Sequence, residues 1–172
     1  MPGCEKIEHV TTAARIGVRE SRRIVGEYEL NLADYLACRQ FHDQIGVFNK
    51  FVDIHVHDTS PEEYERFLLE KDKYRLGEGE FFGIPYSILV PQGWSNLWVA
   101  GRCNSSDVPV HGSIRVQPAA AMMGQAVGTA AAQSIRTGQP ACDLDTAALV
   151  EALRGQGAYL PQTQLSRQMT RR

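Results

Sequence analysis

The spacing of apolar and charged positions in the first third of the chain predicts strands around one short helix. Over residues 14–30, isoleucine, valine and tyrosine recur between charged residues, which indicates two strands or one bent ribbon. Residues 51–57 alternate polar and apolar side chains with the period of a half-buried strand. Between these segments, Asn31 is suited to cap a helix that runs to Cys38, with Asp34 in its first turn.

The middle of the chain combines a helix signal with extended apolar segments. Ser60, followed by a proline and two glutamates, is typical of a helix start, and residues 60–71 are expected to be helical. Residues 71–80 are charged and contain two glycines, which favours a loop. Residues 81–90 are apolar but include Pro85, which favours an edge strand or extended chain, and a turn follows at residues 91–93.

The last part of the chain has the pattern of a buried strand followed by helices. Residues 97–100 are all apolar, which predicts a central strand buried on both faces, and a polar loop is expected over residues 101–111. Pro118 is expected to open a long buried helix that runs to about Thr137, where Gly138 can supply a left-handed cap. Asp143 is then expected to cap a second helix that ends at the glycines of residues 155 and 157.

These elements predict an α/β fold with three portions. Residues 1–82 form a mixed, strand-rich portion, and residues 83–160 hold the strand and the long helix. Residues 161–172 are rich in arginine and poor in apolar side chains, so this tail is expected to be disordered.

Composition and charge narrow the classes of partner. The 172 residues carry a formal net charge of −2, which gives no bulk attraction to nucleic acid or anionic membranes. The uncharged stretch between residues 115 and 136 is too rich in alanine and polar side chains to span a membrane. The four cysteines are scattered, so a zinc site or a disulfide framework is not expected. With no signal-peptide pattern at the start, a cytoplasmic protein is predicted.

The order of strand, glycine, loop and helix over residues 96–132 is one that can bind a ligand. In open α/β sheets, ligands bind beyond the carboxyl ends of strands. A helix N-terminus adds free N–H groups and the positive end of the dipole. Small residues early in the helix, Gly124 and Gly128 among them, allow a close approach to another backbone or to a flat cofactor. A tightly packed strand–helix unit without a ligand is equally compatible with this pattern.

Several separated motifs resemble one known family. They are residues 84–91 (IPYSILVP), 96–103 (NLWVAGRC), 111–118 (HGSIRVQP) and 124–132 (GQAVGTAAA), in that order. Together they resemble the C-terminal segment of the FAD-dependent oxidoreductase family, among the glutathione-reductase-like flavoproteins. The fumarate reductase and succinate dehydrogenase flavoproteins are more distantly similar. The resemblance runs from about residue 16 to residue 160.

The resemblance implies FAD as cofactor and assigns roles to particular residues. It implies that the cofactor is contacted by Gly101, Arg102, Arg115, Val116, Gln117, Pro118, Gly124 and Gln125. It implies catalytic roles for Arg115 and His111, and it places His55 in the substrate domain, near substrate or flavin. The expected reaction is oxidation or reduction of a small organic substrate by flavin hydride transfer.

The sequence departs from the family where the cofactor's pyrophosphate should bind. The G-x-G-x-x-G fingerprint is missing from the 172 residues, and the glycines of residues 77–83 have the wrong spacing. The chain is therefore expected to be a truncated gene, a split subunit whose partner chain carries the missing N-terminal half, or an excised region. A non-catalytic remnant is the alternative. No metal site is expected, since His55 and His57 have few further histidines to complete the ligand set of a metal-dependent hydrolase.

Arg115 carries the sharpest expectation. It precedes the predicted long helix, where a cation opposes the helix dipole by a few tenths to about 1 kcal/mol. A cation in such a place indicates a nearby anion. The resemblance suggests the reduced flavin as that anion, ahead of an acidic substrate.

Overall fold

The computed structural model describes residues 6–54, 60–62, 65 and 74–161. The described part is a mixed α/β structure with a two-stranded antiparallel sheet, β1 (Gln44–Phe48) and β2 (Phe82–Pro85). Its helices with defined bounds are α1 (Leu32–Leu36), α2 (Val108–Ile114), α3 (Gln117–Thr137) and α4 (Thr146–Gly155). Short 3-10 turns lie at Tyr86–Leu89, Gly101–Cys103 and Ala141–Asp143.

Helix α1 begins where its capping residue predicts. The Asn31 side chain accepts hydrogen bonds from the backbone N–H groups of Ala33 and Asp34, and the Asp34 carboxylate accepts one from the N–H of Asn31. This reciprocal capping box satisfies N–H groups that a helix start leaves free. The helix ends at Leu36, slightly before the predicted end, and Cys38 follows in a left-handed conformation (φ 49°).

The strands differ from the expectation. The predicted edge strand at 81–90 is confirmed in its first half as β2, and the chain then turns into a 3-10 turn after Pro85. Its partner β1 was not predicted, and the two pair in antiparallel register, with Phe48 opposite Phe82. Residues 14–30 form extended chain with isolated β-bridges at Gly26 and Leu30, not the predicted strands. Their backbone hydrogen bonds go to separate loop residues, so no continuous strand pairing forms. Residues 51–54 are irregular, and the rest of that predicted strand lies outside the described residues.

Residues 97–100 do not form the predicted central strand. Leu97 is 40 % exposed, and the next three residues are half-buried. Within the described residues, this segment makes one backbone hydrogen bond of the kind that joins strands. The N–H of Val99 donates it to the carbonyl of Leu89 at 2.9 Å. A central strand needs hydrogen-bonded neighbours on both sides. The apolar run therefore stays extended, and its other edge has no partner in the part of the chain that the structure describes.

The predicted long helix is confirmed as α3. Gly138 caps it in the left-handed conformation (φ 72°), and its N–H donates to the carbonyl of Ser134 at 2.8 Å. A buried stripe at helical spacing packs into the core: Ala119, Met123, Ala126, Ala130 and Gln133.

The opposite face of α3 corrects the expectation of a buried helix whose small residues are in close contact with a neighbour. Gly124 and Gly128 are exposed, and a side chain added at either would meet no atom within 4 Å. The expected close approach at these glycines is therefore not made by any described part of the chain.

The C-terminal helix begins two residues later than predicted. Asp145, not Asp143, caps α4, and its carboxylate accepts a hydrogen bond from the N–H of Ala148 at 3.0 Å. Asp143 lies in the preceding 3-10 turn instead. Residues 61, 62 and 65 are helical, and the remainder of that predicted helix lies outside the described residues, as does the tail from residue 162.

One continuous core joins the two predicted main portions. Leu30 and Ile45 from the first portion pack with side chains of the second, including Ile88, Met123 and Leu153. Each such buried side chain contributes about 1.5–3 kcal/mol through removal of apolar surface from water. The core holds α3 against the sheet and the 3-10 turns, and so fixes the position of its N-terminus. None of the described helices combines the length and apolar character that a membrane span needs.

Candidate functional site

Helix α2 positions the first group of candidate residues, and it occupies part of the predicted polar loop. The Asp107 carboxylate accepts hydrogen bonds from the N–H groups of Val110 at 2.8 Å and Leu32 at 2.7 Å. A capping aspartate with Pro109 in the first turn is a helix-start signal that was available in the sequence. The cap also fastens α2 to α1. The helix then presents His111, Gly112 and, at its C-cap, Arg115.

Arg115 is buried and held on two sides. Its Nη1 donates to Oε2 of Glu20 at 2.9 Å, and its Nη2 donates to the carbonyl of Asp53 at 2.7 Å. The side chain is 9 % exposed, and its Nε has no hydrogen-bond partner in the described residues. As the C-cap of α2, it lies where the helix dipole favours a cation. This position corrects the premise that the cation is unfavourably placed, and the anion beside it in the described residues is Glu20.

His111 is completely buried beside the same carboxylate. Its Nε2 lies 2.8 Å from the carbonyl oxygen of Arg102, and since a carbonyl only accepts, Nε2 carries the proton. Its Nδ1 is 3.7 Å from Oε2 of Glu20 and makes no hydrogen bond among the described residues. Burial lowers the pKa of His111. The hydrogen bond to Arg102 and the charge of Glu20 raise this pKa by smaller amounts, and the charges of Arg23 and Arg115 lower it further. The ring is therefore neutral at physiological pH and holds the backbone at Arg102.

Residues 50–54 pack along α2 and lead towards His55. The Ser113 hydroxyl donates to the carbonyl of Lys50 at 2.6 Å. Gly112 lies against residues 53 and 54, and a side chain there would come within 3.2 Å of the Asp53 carbonyl oxygen. His111 and Arg115 are thus brought together, and a third segment is docked on them. His55 and His57 themselves lie outside the described residues.

Gly101 and Arg102 lie between this cluster and α3. Gly101 has a left-handed backbone (φ 78°), its N–H donates to Sδ of Met123, and an added side chain would meet Ala120 at 3.5 Å. Arg102 is exposed, and its guanidinium donates to the carbonyl of Val18. The 3-10 turn at Gly101–Cys103 therefore rests on the first turns of α3.

The N-terminus of α3 is open. Its N-cap, Val116, provides no side-chain hydrogen bond, and Gln117 and Pro118 are exposed. The first N–H groups of a helix have no partner within it, so an uncapped start leaves donors and the positive dipole end free for an electron-rich ligand. Gly124 lies further along the exposed face, while Gln125 donates to the side chain of Gln156 at 3.0 Å. Seven of the predicted cofactor residues thus lie along one helix and the turn that contacts it.

A separate cavity of about 390 Å³ was not predicted from the sequence. It lies between the 3-10 turn after β2 and the start of α4, and its lining includes Tyr28, Asp43, Tyr86 and Leu144. Burial raises the pKa of Tyr86 to about 12, and its hydroxyl donates to the carbonyl of Ala141 at 2.9 Å. Its lining does not include Glu20, His111 or Arg115. Within the described residues, no group of three or more histidine, cysteine or acidic side chains is placed to hold a metal ion.

Comparison with known proteins identifies the family. The profile of the FAD dependent oxidoreductase family matches residues 1–153, which is most of the chain. Searches among curated proteins and solved structures gave no match. The match includes the turn at Gly101, the cluster around Arg115 and the whole of α3. The chain belongs to the FAD-dependent oxidoreductase family.

Proposed function

We propose that this chain forms the ring-binding part of an FAD site in an oxidoreductase that acts on a small organic substrate. The family is FAD-dependent, which gives the cofactor. The observation that carries the location is the exposed, uncapped N-terminus of α3 beside the left-handed Gly101. No described side chain caps this helix start, so its first backbone donors are available to an electron-rich ring.

The residues at this position fit an isoalloxazine ring. Gly101 and Arg102 would line one side, and Val116, Gln117 and Pro118 would form the helix start that faces the ring. The exposed glycines of α3 leave room for a flat group or an adjoining backbone. When bound, FAD supplies the hydride transfer. The part played by the chain is electrostatic, since the positive helix end stabilises negative charge by up to about 1 kcal/mol.

Arg115 is proposed as the residue that stabilises negative charge at the catalytic centre. Its guanidinium is already oriented by Glu20 and Asp53, so little side-chain freedom remains to be lost. His111 holds the backbone carbonyl of Arg102 in place rather than exchanging a proton, because it is buried and neutral. A catalytic role near substrate or flavin is proposed for His55 on the basis of the resemblance.

A nucleotide-binding segment with the G-x-G-x-x-G fingerprint is proposed to complete the site, supplied by a longer form of the protein or by a partner chain. The extended backbone of residues 97–100 has an edge without a partner among the described residues, which offers the segment hydrogen-bonding groups, and the exposed Trp94 and Leu97 offer apolar surface. We also propose that the protein is related to the glutathione-reductase-like flavoproteins and that it is cytoplasmic.

The test is a binding measurement with FAD itself. The purified chain is saturated with FAD, free cofactor is removed, and the visible spectrum is recorded. We expect weak or no retention by the chain alone, because most contacts to adenosine and pyrophosphate come from the fingerprint segment. We expect retention once a fingerprint-bearing segment of the family is supplied. Stoichiometric FAD on the isolated chain would contradict the division of the site, and no retention in the completed protein would contradict the function.

A further inference from the structure

Glu20 lies at the centre of a cluster that three cationic or imidazole side chains form. Its Oε2 is 2.9 Å from Nη1 of Arg115 and 3.7 Å from Nδ1 of His111, and its Oε1 is 3.5 Å from Nη1 of Arg23. Arg115 and His111 come from α2, 95 and 91 positions further along the chain. One carboxylate therefore joins an extended N-terminal segment to α2, which carries two of the predicted catalytic residues, His111 and, at its C-cap, Arg115.

We propose that Glu20 is a positioning residue that sets the orientation of the Arg115 guanidinium; the inference rests on the proposed role of Arg115. The guanidinium is planar, and Glu20 and the Asp53 carbonyl bind its two terminal nitrogens. Two acceptors at separate nitrogens fix the plane as well as the position, which a single acceptor does not. The third nitrogen, Nε, is buried and has no hydrogen-bond partner among the described residues, so it adds no contact that would orient the guanidinium.

The surrounding charges make Glu20 hard to replace. Arg23 and Arg115 face it, while the other nearby carboxylate, Asp53, is engaged by Arg19 at 3.9 Å and Lys50 at 3.4 Å. Loss of the Glu20 charge would leave Arg23 and Arg115 facing each other across a partly buried space. Repulsion between like charges is weakly screened in such surroundings, so Arg115 would lose one of its two anchors and also be pushed away from Arg23. His111 would also lose the carboxylate that favours its protonated form.

The experiment uses nuclear magnetic resonance of the whole chain and its Glu20→Gln, Glu20→Asp and Glu29→Gln variants. Glu29 is an exposed carboxylate in the same segment and is the matched control. We expect Glu20→Gln to shift the side-chain NH resonances of Arg115 and to lower the pKa of His111, with Glu20→Asp intermediate and Glu29→Gln unchanged. Unchanged Arg115 resonances in Glu20→Gln would overturn the proposal.

Turnover of the FAD-loaded, completed protein separates this proposal from the proposed function. We expect Glu20→Gln to lower kcat by about 10- to 100-fold, since a small misplacement of a catalytic group costs that much. We expect Glu20→Asp to recover part of the loss and KM to change little. Shifted Arg115 resonances with unchanged kcat would uphold the orienting contact and overturn the catalytic role of Arg115.

Discussion

The carboxylate of Glu20 accepts a 2.9 Å hydrogen bond from the guanidinium of Arg115, across 95 positions of sequence. Arg115 also binds the carbonyl of Asp53, so it ties together α2 and two segments that lack regular structure. The cation therefore has a structural function in the chain alone, in addition to the catalytic role proposed in the flavoprotein. The two roles predict different consequences for the same substitutions.

Replacement of Arg115 should destabilise the chain even without FAD. Arg115→Ala removes two charge-assisted hydrogen bonds and leaves Glu20 facing the neutral His111, so we expect a loss of about 2–3 kcal/mol in the free energy of unfolding. Arg115→Lys should recover part of the lost stability, because an ammonium keeps the charge but cannot donate to Glu20 and Asp53 from two separate nitrogens. Urea denaturation measures both. Arg136→Ala, at the exposed end of α3, is the control. An equal loss of stability in that variant would contradict a specific stabilising role for the contacts of Arg115.

Acid should destabilise the fold through His111. Because its pKa is lowered in the folded chain, the unfolded chain binds the proton first as the pH falls. This contribution to stability is complete above the ordinary histidine pKa of about 6.5 and is lost below it, by at most about 1.4 kcal/mol per pH unit. Unfolding free energies between pH 7.5 and 5 should fall less steeply in His111→Gln than in the parent. An unaltered slope in that variant, or the same change in exposed His42→Gln, would argue against a buried neutral ring.

Gly112 should tolerate no large side chain. An added Cβ would lie 3.1 Å from Ile54 and 3.2 Å from the Asp53 carbonyl oxygen, so Gly112→Leu must push residues 50–54 away from α2. We expect a loss of about 1–3 kcal/mol in unfolding free energy, as for other overpacked sites. Gly155→Leu is the matched control, since that helical glycine has no atom within 4 Å of an added Cβ. Comparable losses of stability in the two variants would show that the contact between Gly112 and residues 53–54 does not determine the effect.

The exposed glycines of α3 should behave in the opposite way. Gly124→Ala and Gly128→Ala each replace a poor helix former by the best one in open space, so each should stabilise the chain by about 0.5–1 kcal/mol. Thermal or urea unfolding of the chain without FAD is the measurement. A destabilised variant would mean that this face is covered in solution.

The sequence predicts those elements whose determinants are local. Asn31 with Asp34 predicted α1, and Pro118 with Gly138 predicted α3, because caps and helix starts depend on neighbouring residues. Helix α2 had such a signal at Asp107 but lies inside a stretch whose polarity suggested a loop.

The errors arise where structure depends on distant partners. Residues 97–100 have the composition of a central strand, but a strand forms only when neighbours supply its ladder, and the described residues offer little. At the site, the catalytic roles of Arg115 and His111 stay predictions. Their shared neighbour Glu20 could not be found from the sequence, since no local pattern connects residues 20 and 115.

The account's central claim is that the flavin ring lies at the N-terminus of α3. The most direct measurement is the flavin reduction potential of the FAD-loaded, completed protein with Gln117→Glu. A carboxylate there opposes negative charge on the reduced ring, and an interaction of 0.3–1 kcal/mol corresponds to a potential lowered by about 6–20 mV. Ala132→Glu places the same charge on the same helix about 22 Å away and should leave the potential unchanged. Equal potentials in the parent and in Gln117→Glu would contradict the placement of the ring at this helix end.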